Sequence, residues 1–133
     1  MNTLVGDYVT LLRTALTCTV EAYWRVEPPL VLTCYVQPAE EGAEEPFGIG
    51  AAMSQGMGVD VFVETPWDDK VATAQAVGTT VETVKGVVAA NRQLGAWECW
   101  GVVTGVGYFL ASRVGASKPT YGARVRVSYT PPL

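Results

Sequence analysis

Val59-Asp60-Val61-Phe62-Val63-Glu64-Thr65-Pro66-Trp67-Asp68-Asp69 is where one periodicity gives way to another. Val59, Val61 and Val63 fall on one side, and Asp60, Phe62 and Glu64 on the other. That two-residue alternation marks a strand running from Val59 to Thr65. Beyond it, Val71, Ala74, Val77, Val81, Val84 and Val88 recur every three or four residues, with Val87 widening the stripe. This is the period of an amphipathic helix, predicted to reach about Asn91, with Gly95 suited to a stop after it. Thr65 reads as the helix N-cap, Pro66 as its first helical residue, and Asp68 stands three positions after the cap. Asp68 and Asp69 also suit the positive end of the helix dipole. Valine is a mediocre helix former, so this helix must be held by what it packs against.

Upstream, Leu4, Tyr8, Leu12 and Leu16 form one stripe, widened by Val5, Val9 and Leu11, which predicts a helix from about Thr3 to Leu16. Val20, Ala22, Trp24 and Val26 then alternate with Glu21, Tyr23, Arg25 and Glu27, predicting a strand over Val20 to Val26. Pro28-Pro29 ends it, because proline cannot donate to a ladder. Leu30 to Val36 is nearly all apolar or β-prone and reads as a second strand. Downstream, Trp97 to Thr104 reads as a strand, Gly105 and Gly107 allow a bend or bulge, and Val106 to Val114 continues it. Gly115 to Pro119 is a turn. Tyr121, Ala123, Val125, Val127 and Tyr129 then alternate with Gly122, Arg124, Arg126 and Ser128 in the best-patterned strand of the chain, which Pro131-Pro132 ends. Residues 1–133 are therefore expected to form a single α+β domain. Its sheet should be mainly antiparallel, or mixed, with two helices packed on one face.

The stretch from Gln37 to Gly58 lacks such a pattern. Glu40, Glu41, Glu44 and Glu45 come without a neighbouring base, and four glycines follow. A loop this long inside one domain is usually functional or mobile. Phe47, Ile49, Met53 and Met57 have no obvious place in the sheet, so they are candidate contacts with a neighbouring subunit or partner. The glutamates suit a solvated acidic loop, or the lining of a channel through which DNA passes without sticking. The loop is expected to be mobile in a free subunit and ordered in an assembly.

Composition excludes several classes of function. The net charge is −4, and the nine Lys and Arg are scattered, which disfavours binding to a phosphate backbone. No apolar stretch approaches the roughly 20 residues needed to span a bilayer, and Met1-Asn2-Thr3 lacks a signal-peptide basic region, so a cytoplasmic site of synthesis and assembly is expected. There is no histidine, which removes Ser-His-Asp and Cys-His catalysis and the commonest metal ligand. Cys18, Cys34 and Cys99 are widely spaced and odd in number, so they read as plain buried thiols. Gly48-Ile49-Gly50-Ala51-Ala52-Met53 has methionine where a dinucleotide fingerprint needs its third glycine. Gly101 to Gly107 lacks the Lys and Ser/Thr of a P-loop. No enzyme, cofactor or metal site is expected. Charged residues make up only 17% of the chain, below the usual figure of about 25%, which fits either a large core or a protein that hides surface against partners.

The order of these pieces carries a resemblance. A short amphipathic helix leads into Tyr23-Trp24-Arg25, then a Pro-Pro break and an apolar strand. Val59-Asp60-Val61-Phe62-Val63 runs into Thr65-Pro66-Trp67-Asp68-Asp69 and a long Ala/Val-rich helix, and the chain closes on Tyr121-Gly122-Ala123-Arg124-Val125-Arg126-Val127. Over nearly its whole length the chain resembles the tail terminator proteins of bacteriophages with long, non-contractile tails. The resemblance implies an α+β subunit of a homohexameric ring in the virion neck. Such a ring caps the tail tube, ends its polymerisation and presents a docking surface to the head connector. The implied partners are further copies of the chain, the tail tube protein and the connector or head-closure protein, with no sequence-specific nucleic acid and no membrane. It carries over no catalytic residue, and the acidic run at Glu40 to Glu45 matches no motif of that family. Another neck protein (head-closure or tail-completion) and a monomeric small-ligand-binding domain are the competing readings. A deep apolar pocket with converging polar groups would favour the last.

Overall fold

A computed structural model of the chain describes residues 2–25, 27–39, 57–91, 100–113 and 115–130. These form α1 (Asn2–Ala15), β1 (Thr19–Ala22), β2 (Thr33–Pro38), β3 (Met57–Pro66), α2 (Lys70–Ala90), β4 (Trp100–Ala111) and β5 (Thr120–Thr130). The five strands make one sheet in the order β1-β2-β3-β5-β4. β1 runs parallel to β2, and every other neighbouring pair is antiparallel. The sheet is thus mixed, and the fold is α+β.

The alternation of β3 decides the layering. Val61 pairs with Val36 on one side and Val125 on the other, and Val63 pairs with Cys34 and Ala123. These side chains share one face with Val59, Val127 and Val20. Val5, Tyr8, Val9 and Leu12 of α1 and Val77, Val81, Val84 and Val88 of α2 close over them in one buried cluster. Both helices therefore cover the same sheet face. Each fully buried valine contributes about 1.5–3 kcal/mol of transfer free energy, which outweighs the poor helix propensity of a valine-rich α2.

Several local expectations are corrected. α2 is capped by Asp69, whose carboxylate accepts a 2.9 Å hydrogen bond from the Ala72 amide. Thr65 and Pro66 instead remain in β3, paired with Tyr121 and Thr120, because β5 is long enough to hold them in the ladder. Val71 is 66% exposed and Ala74 is exposed too. At about 100° per residue Val71 lies far round the helix from Val77, and Thr73 and Thr80 complete the buried stripe instead. The helix ends on Asn91, whose amide and side-chain nitrogen both donate to the Val87 carbonyl. The Gly95 stop and the start of the strand expected at Trp97 lie outside the described residues.

β1 stops at Ala22 rather than Val26, because Tyr23 takes a left-handed backbone conformation, φ 67°, that turns the chain out of the strand. β2 starts at Thr33 rather than Leu30, and Leu30 and Val31 are exposed. It runs on through Gln37 and Pro38, which pair with Asp60 and Val59. Met57 and Gly58 are likewise in β3, so both ends of the expected loop belong to the sheet. The glycine-rich region of β4 carries a register shift between Val103 and Gly105, as a bulge there requires, and the strand continues unbroken to Ala111.

Candidate functional site

Among the described residues, no helix packs on the sheet face opposite α1 and α2, and β4 is one of the two edge strands of the sheet. On the opposite face, Asp60 and Arg126 are register partners across β3 and β5. The Arg126 guanidinium forks onto the carboxylate, Nε to Oδ1 at 2.9 Å and Nη2 to Oδ2 at 3.0 Å. Asp60 is buried, so this bidentate pair satisfies a charge that would otherwise be costly.

Toward the other end of the same face lies a second buried carboxylate, Glu64. Its Oε1 accepts from Trp24 Nε1 at 3.2 Å, and its Oε2 accepts from the Thr120 hydroxyl. Arg113 Nε stands 3.5 Å from that same Oε2. The Arg113 guanidinium carbon lies 3.7 Å from the Trp24 ring centroid, and Nη2 donates to the carbonyls of Arg25 and Glu27 at 2.7 Å each. This explains how two parallel strands are joined by so short a connection. The chain leaving β1 crosses this face with Trp24 over Glu64, and Arg113 holds it down by its backbone. Burial, and then the negative charge of Glu64, push the neighbouring Tyr35 phenol above its ordinary pKa of 10.0, with Arg113 opposing.

Between these two pairs is a cavity of about 350 Å³ lined by Trp24, Gln37, Asp60, Phe62, Phe109, Ala111, Arg124 and Arg126. Most of its polar groups are already engaged with one another. Asp60 holds Arg126, and Gln37 Oε1 accepts from the Trp24 amide at 3.1 Å. Phe62 and Phe109 meet edge to face at 6.4 Å. Arg124 is the exposed cation on the rim. Polar groups spent on each other do not converge on a ligand. Among the described residues, no cluster of three or more His, Cys, Asp or Glu forms a metal-binding group.

β4 offers a different kind of surface. Among the described residues it pairs with β5 on one side only, so about half of its backbone N–H and C=O groups point away from the described sheet. The strand is 12 residues long, Trp100-Gly-Val-Val-Thr-Gly-Val-Gly-Tyr-Phe-Leu-Ala111, without a charge or a proline. Val102, Tyr108 and Leu110 are 52%, 54% and 61% exposed. Tyr108 stacks on Tyr121 at 6.3 Å, and Tyr121 meets Trp67 at 4.9 Å, which makes an aromatic row beside the edge.

Of the residues singled out in the sequence, Glu40, Glu41, Glu44, Glu45, Phe47, Ile49 and Met53 lie outside the described residues. Met57 opens β3 opposite Tyr129. The Glu64–Arg113–Trp24 constellation and the β4 edge were not anticipated. Arg113 follows an apolar run and carries no periodic signal. The edge position of β4 depends on strand order, which local pattern does not specify.

No family model matches this chain, and no curated protein matches it. Among solved structures 18 chains match. One of them, named only by a sequence label, is 14% identical, covers 99% of this chain and 92% of its own, and has a TM-score of 0.41. A likeness that distant carries no argument about function.

Proposed function

We propose that this chain is a structural virion protein, the subunit of a homohexameric ring that caps the head-proximal end of a phage tail tube. The ring ends tube polymerisation and gives the head connector its docking surface. The observation that carries this reading is the β4 edge. Natural edge strands are short, or bear charges, prolines or covers that prevent pairing with another chain. β4 is long and carries no charge or proline; its one irregularity is the bulge between Val103 and Gly105, and Val102, Tyr108 and Leu110 are large exposed apolar side chains along it. In a ring, this edge adds to the next copy through backbone hydrogen bonds, with Tyr108 and Leu110 buried at the contact. A head-to-tail contact of this kind closes when its rotation divides a full turn evenly. The resemblance in the order of elements, and the low content of charge, support the same conclusion. The chain is proposed to do no chemistry of its own.

The functional test is a polymerisation assay with the tail tube protein of the same virus. Added chain should cap tubes at one end and stop their growth, visible by negative-stain imaging as a ring with a central hole. Tubes that grow unchanged, with no density at either end, would remove the assignment. A second reading, a small-ligand-binding monomer, draws only on the cavity beside Trp24 and Phe62. It is disfavoured because most polar groups of that cavity pair with each other, Asp60 with Arg126 and Gln37 with the Trp24 amide.

A further inference from the structure

We propose that Cys18 and Cys34 form a dithiol site that a hydroperoxide oxidises to an intramolecular disulfide. Their sulfurs lie 3.8 Å apart although the residues are 16 positions apart in the chain. The parallel pairing of β1 and β2 is responsible. Thr19 pairs with Thr33 and Val20 with Cys34, which brings the residue just before β1 against the start of β2. The cysteines read in the sequence as plain buried thiols; Cys34 is buried and Cys18 half-buried, and the contact between them is what the sequence spacing did not indicate.

The two thiols differ in the ways a peroxide-reactive pair requires. Cys18 is half-buried, in the bend between α1 and β1, while Cys34 is buried beneath the helices. The hydrogen bond from Cys34 pulls the Cys18 thiol down from 9.0 to about 7, against the opposing effect of burial. The same hydrogen bond, and then burial, push the Cys34 thiol up. Cys18 is therefore the member that is both reachable and ionised near neutral pH, and the thiolate is the nucleophile. Arg13, whose Nε donates to the Val20 carbonyl at 3.1 Å, brings a cation to the same corner of the fold.

The chemistry balances with one equivalent of hydroperoxide. The Cys18 thiolate attacks one peroxide oxygen, the O–O bond breaks, and hydroxide leaves and is protonated, giving water (or an alcohol) and Cys18 sulfenic acid. Cys34 sulfur then attacks the sulfenic sulfur. The S–O bond breaks, and the departing hydroxide takes the Cys34 proton as a second water. The peroxide is reduced by two electrons and the two thiols are oxidised by two. A disulfide needs the sulfurs about 2 Å apart, so they must close by roughly 1.8 Å. Cys18 stands in a bend, outside the β1–β2 ladder, so it can make that movement without breaking a ladder hydrogen bond.

The test is made on the full chain carrying Cys99→Ser, so that no third thiol exchanges. After a low dose of hydrogen peroxide, the protein should remain monomeric in its covalent mass and become lighter by about 2 Da. It should lose both free thiols to a thiol reagent, yield a Cys18–Cys34 cross-linked peptide, and return to its starting mass with dithiothreitol. The closed loop should raise the melting temperature by roughly 10 °C. In Cys34→Ser the same dose should leave Cys18 as a sulfenic or sulfinic acid, and in Cys18→Ser it should leave Cys34 untouched. Addition of oxygen to Cys18 without cross-linking in the chain that keeps both thiols, or disulfides only between molecules, would overturn the proposal. So would two thiols that resist the peroxide altogether.

Discussion

Arg113 and Glu64 meet in the interior of the outer sheet face, guanidinium Nε to carboxylate Oε2 at 3.5 Å, and both side chains are almost wholly withdrawn from solvent. Such a pair costs much to break and little to replace. Removing one partner leaves a buried charge uncompensated, whereas an apolar pair of similar volume is often tolerated. Arg113→Met should therefore destabilise the fold by about 3–5 kcal/mol. Arg113→Met combined with Glu64→Leu should cost less than the sum of the two single changes. Urea denaturation of the four proteins checks this. Strict additivity would mean that the two groups do not act as a pair.

The start of α2 distinguishes two capping residues that sequence alone confuses. Asp69→Ala should cost about 1 kcal/mol, because it removes the acceptor for the Ala72 amide. Thr65→Ala should not show a capping loss, since Thr65 belongs to the β3–β5 ladder. Val81→Asp, on the buried stripe, should cost several times more than Asp69→Ala, because an unpaired charge would enter the core. Thermal melts of the three variants rank them, and an inverted order for the first two would restore Thr65 as the cap.

Phe109 lies across Gly122 on the strand beside it. A Cβ at Gly122 would come within 2.3 Å of the Val63 carbonyl oxygen and 2.7 Å of the Phe109 ring. The ring can move, but the carbonyl belongs to a central strand and cannot. Gly122→Ala should thus destabilise by about 1–3 kcal/mol or more through overpacking. Gly107→Ala, on the adjacent strand with open space around it, should be far milder. Equal denaturation midpoints for the two variants would contradict this packing.

Cys18 should titrate unlike an ordinary thiol. Its folded pKa is lowered from 9.0 to about 7, so the thiolate is populated above about 7 and lost as pH falls through that value. Its share of the folding stability accordingly grows between about pH 7 and 9 and is absent below pH 7. The raised pKa of Cys34 acts in the opposite sense at higher pH. In the Cys99→Ser chain, the rate of alkylation at Cys18 should rise with a midpoint near 7. In Cys34→Ala, which lacks the donated hydrogen bond, the midpoint should move up toward 9. An unchanged midpoint would show that Cys34 does not activate its neighbour.

How much of this was legible in the sequence depends on the range of the interaction concerned. The alternation of Val59, Val61 and Val63 and the stripe of Val77, Val81, Val84 and Val88 are local patterns, and both proved to be core. The α+β class and the helices on one face follow from them. Element ends were harder, because tertiary pairing overrides local preference. Thr65 has cap chemistry, yet ten consecutive pairs with β5 keep β3 extended through Pro66. The contacts of Trp24 with Glu64 and of Arg113 with Glu27 span 40 and 86 positions in the chain. No periodicity encodes such pairs. The Cys18–Cys34 contact depends on a parallel pairing of β1 and β2, and the openness of β4 on a strand order, neither of which a one-dimensional pattern contains.

The central claim is that the β4 edge joins copies of this chain into a ring, and the mass of the particle formed at the tail-tube end tests it most directly. Sedimentation of the protein, alone and with tail tubes, should give a closed assembly of about six copies, in solution or on the tube. Leu110→Lys and Tyr108→Lys place a charge on side chains that are already exposed, so each should leave the subunit folded, with a melting temperature near that of the parent. Each should nonetheless abolish the assembly. A chain that stays monomeric with and without tubes, or a ring that forms undiminished in both variants, would contradict the account.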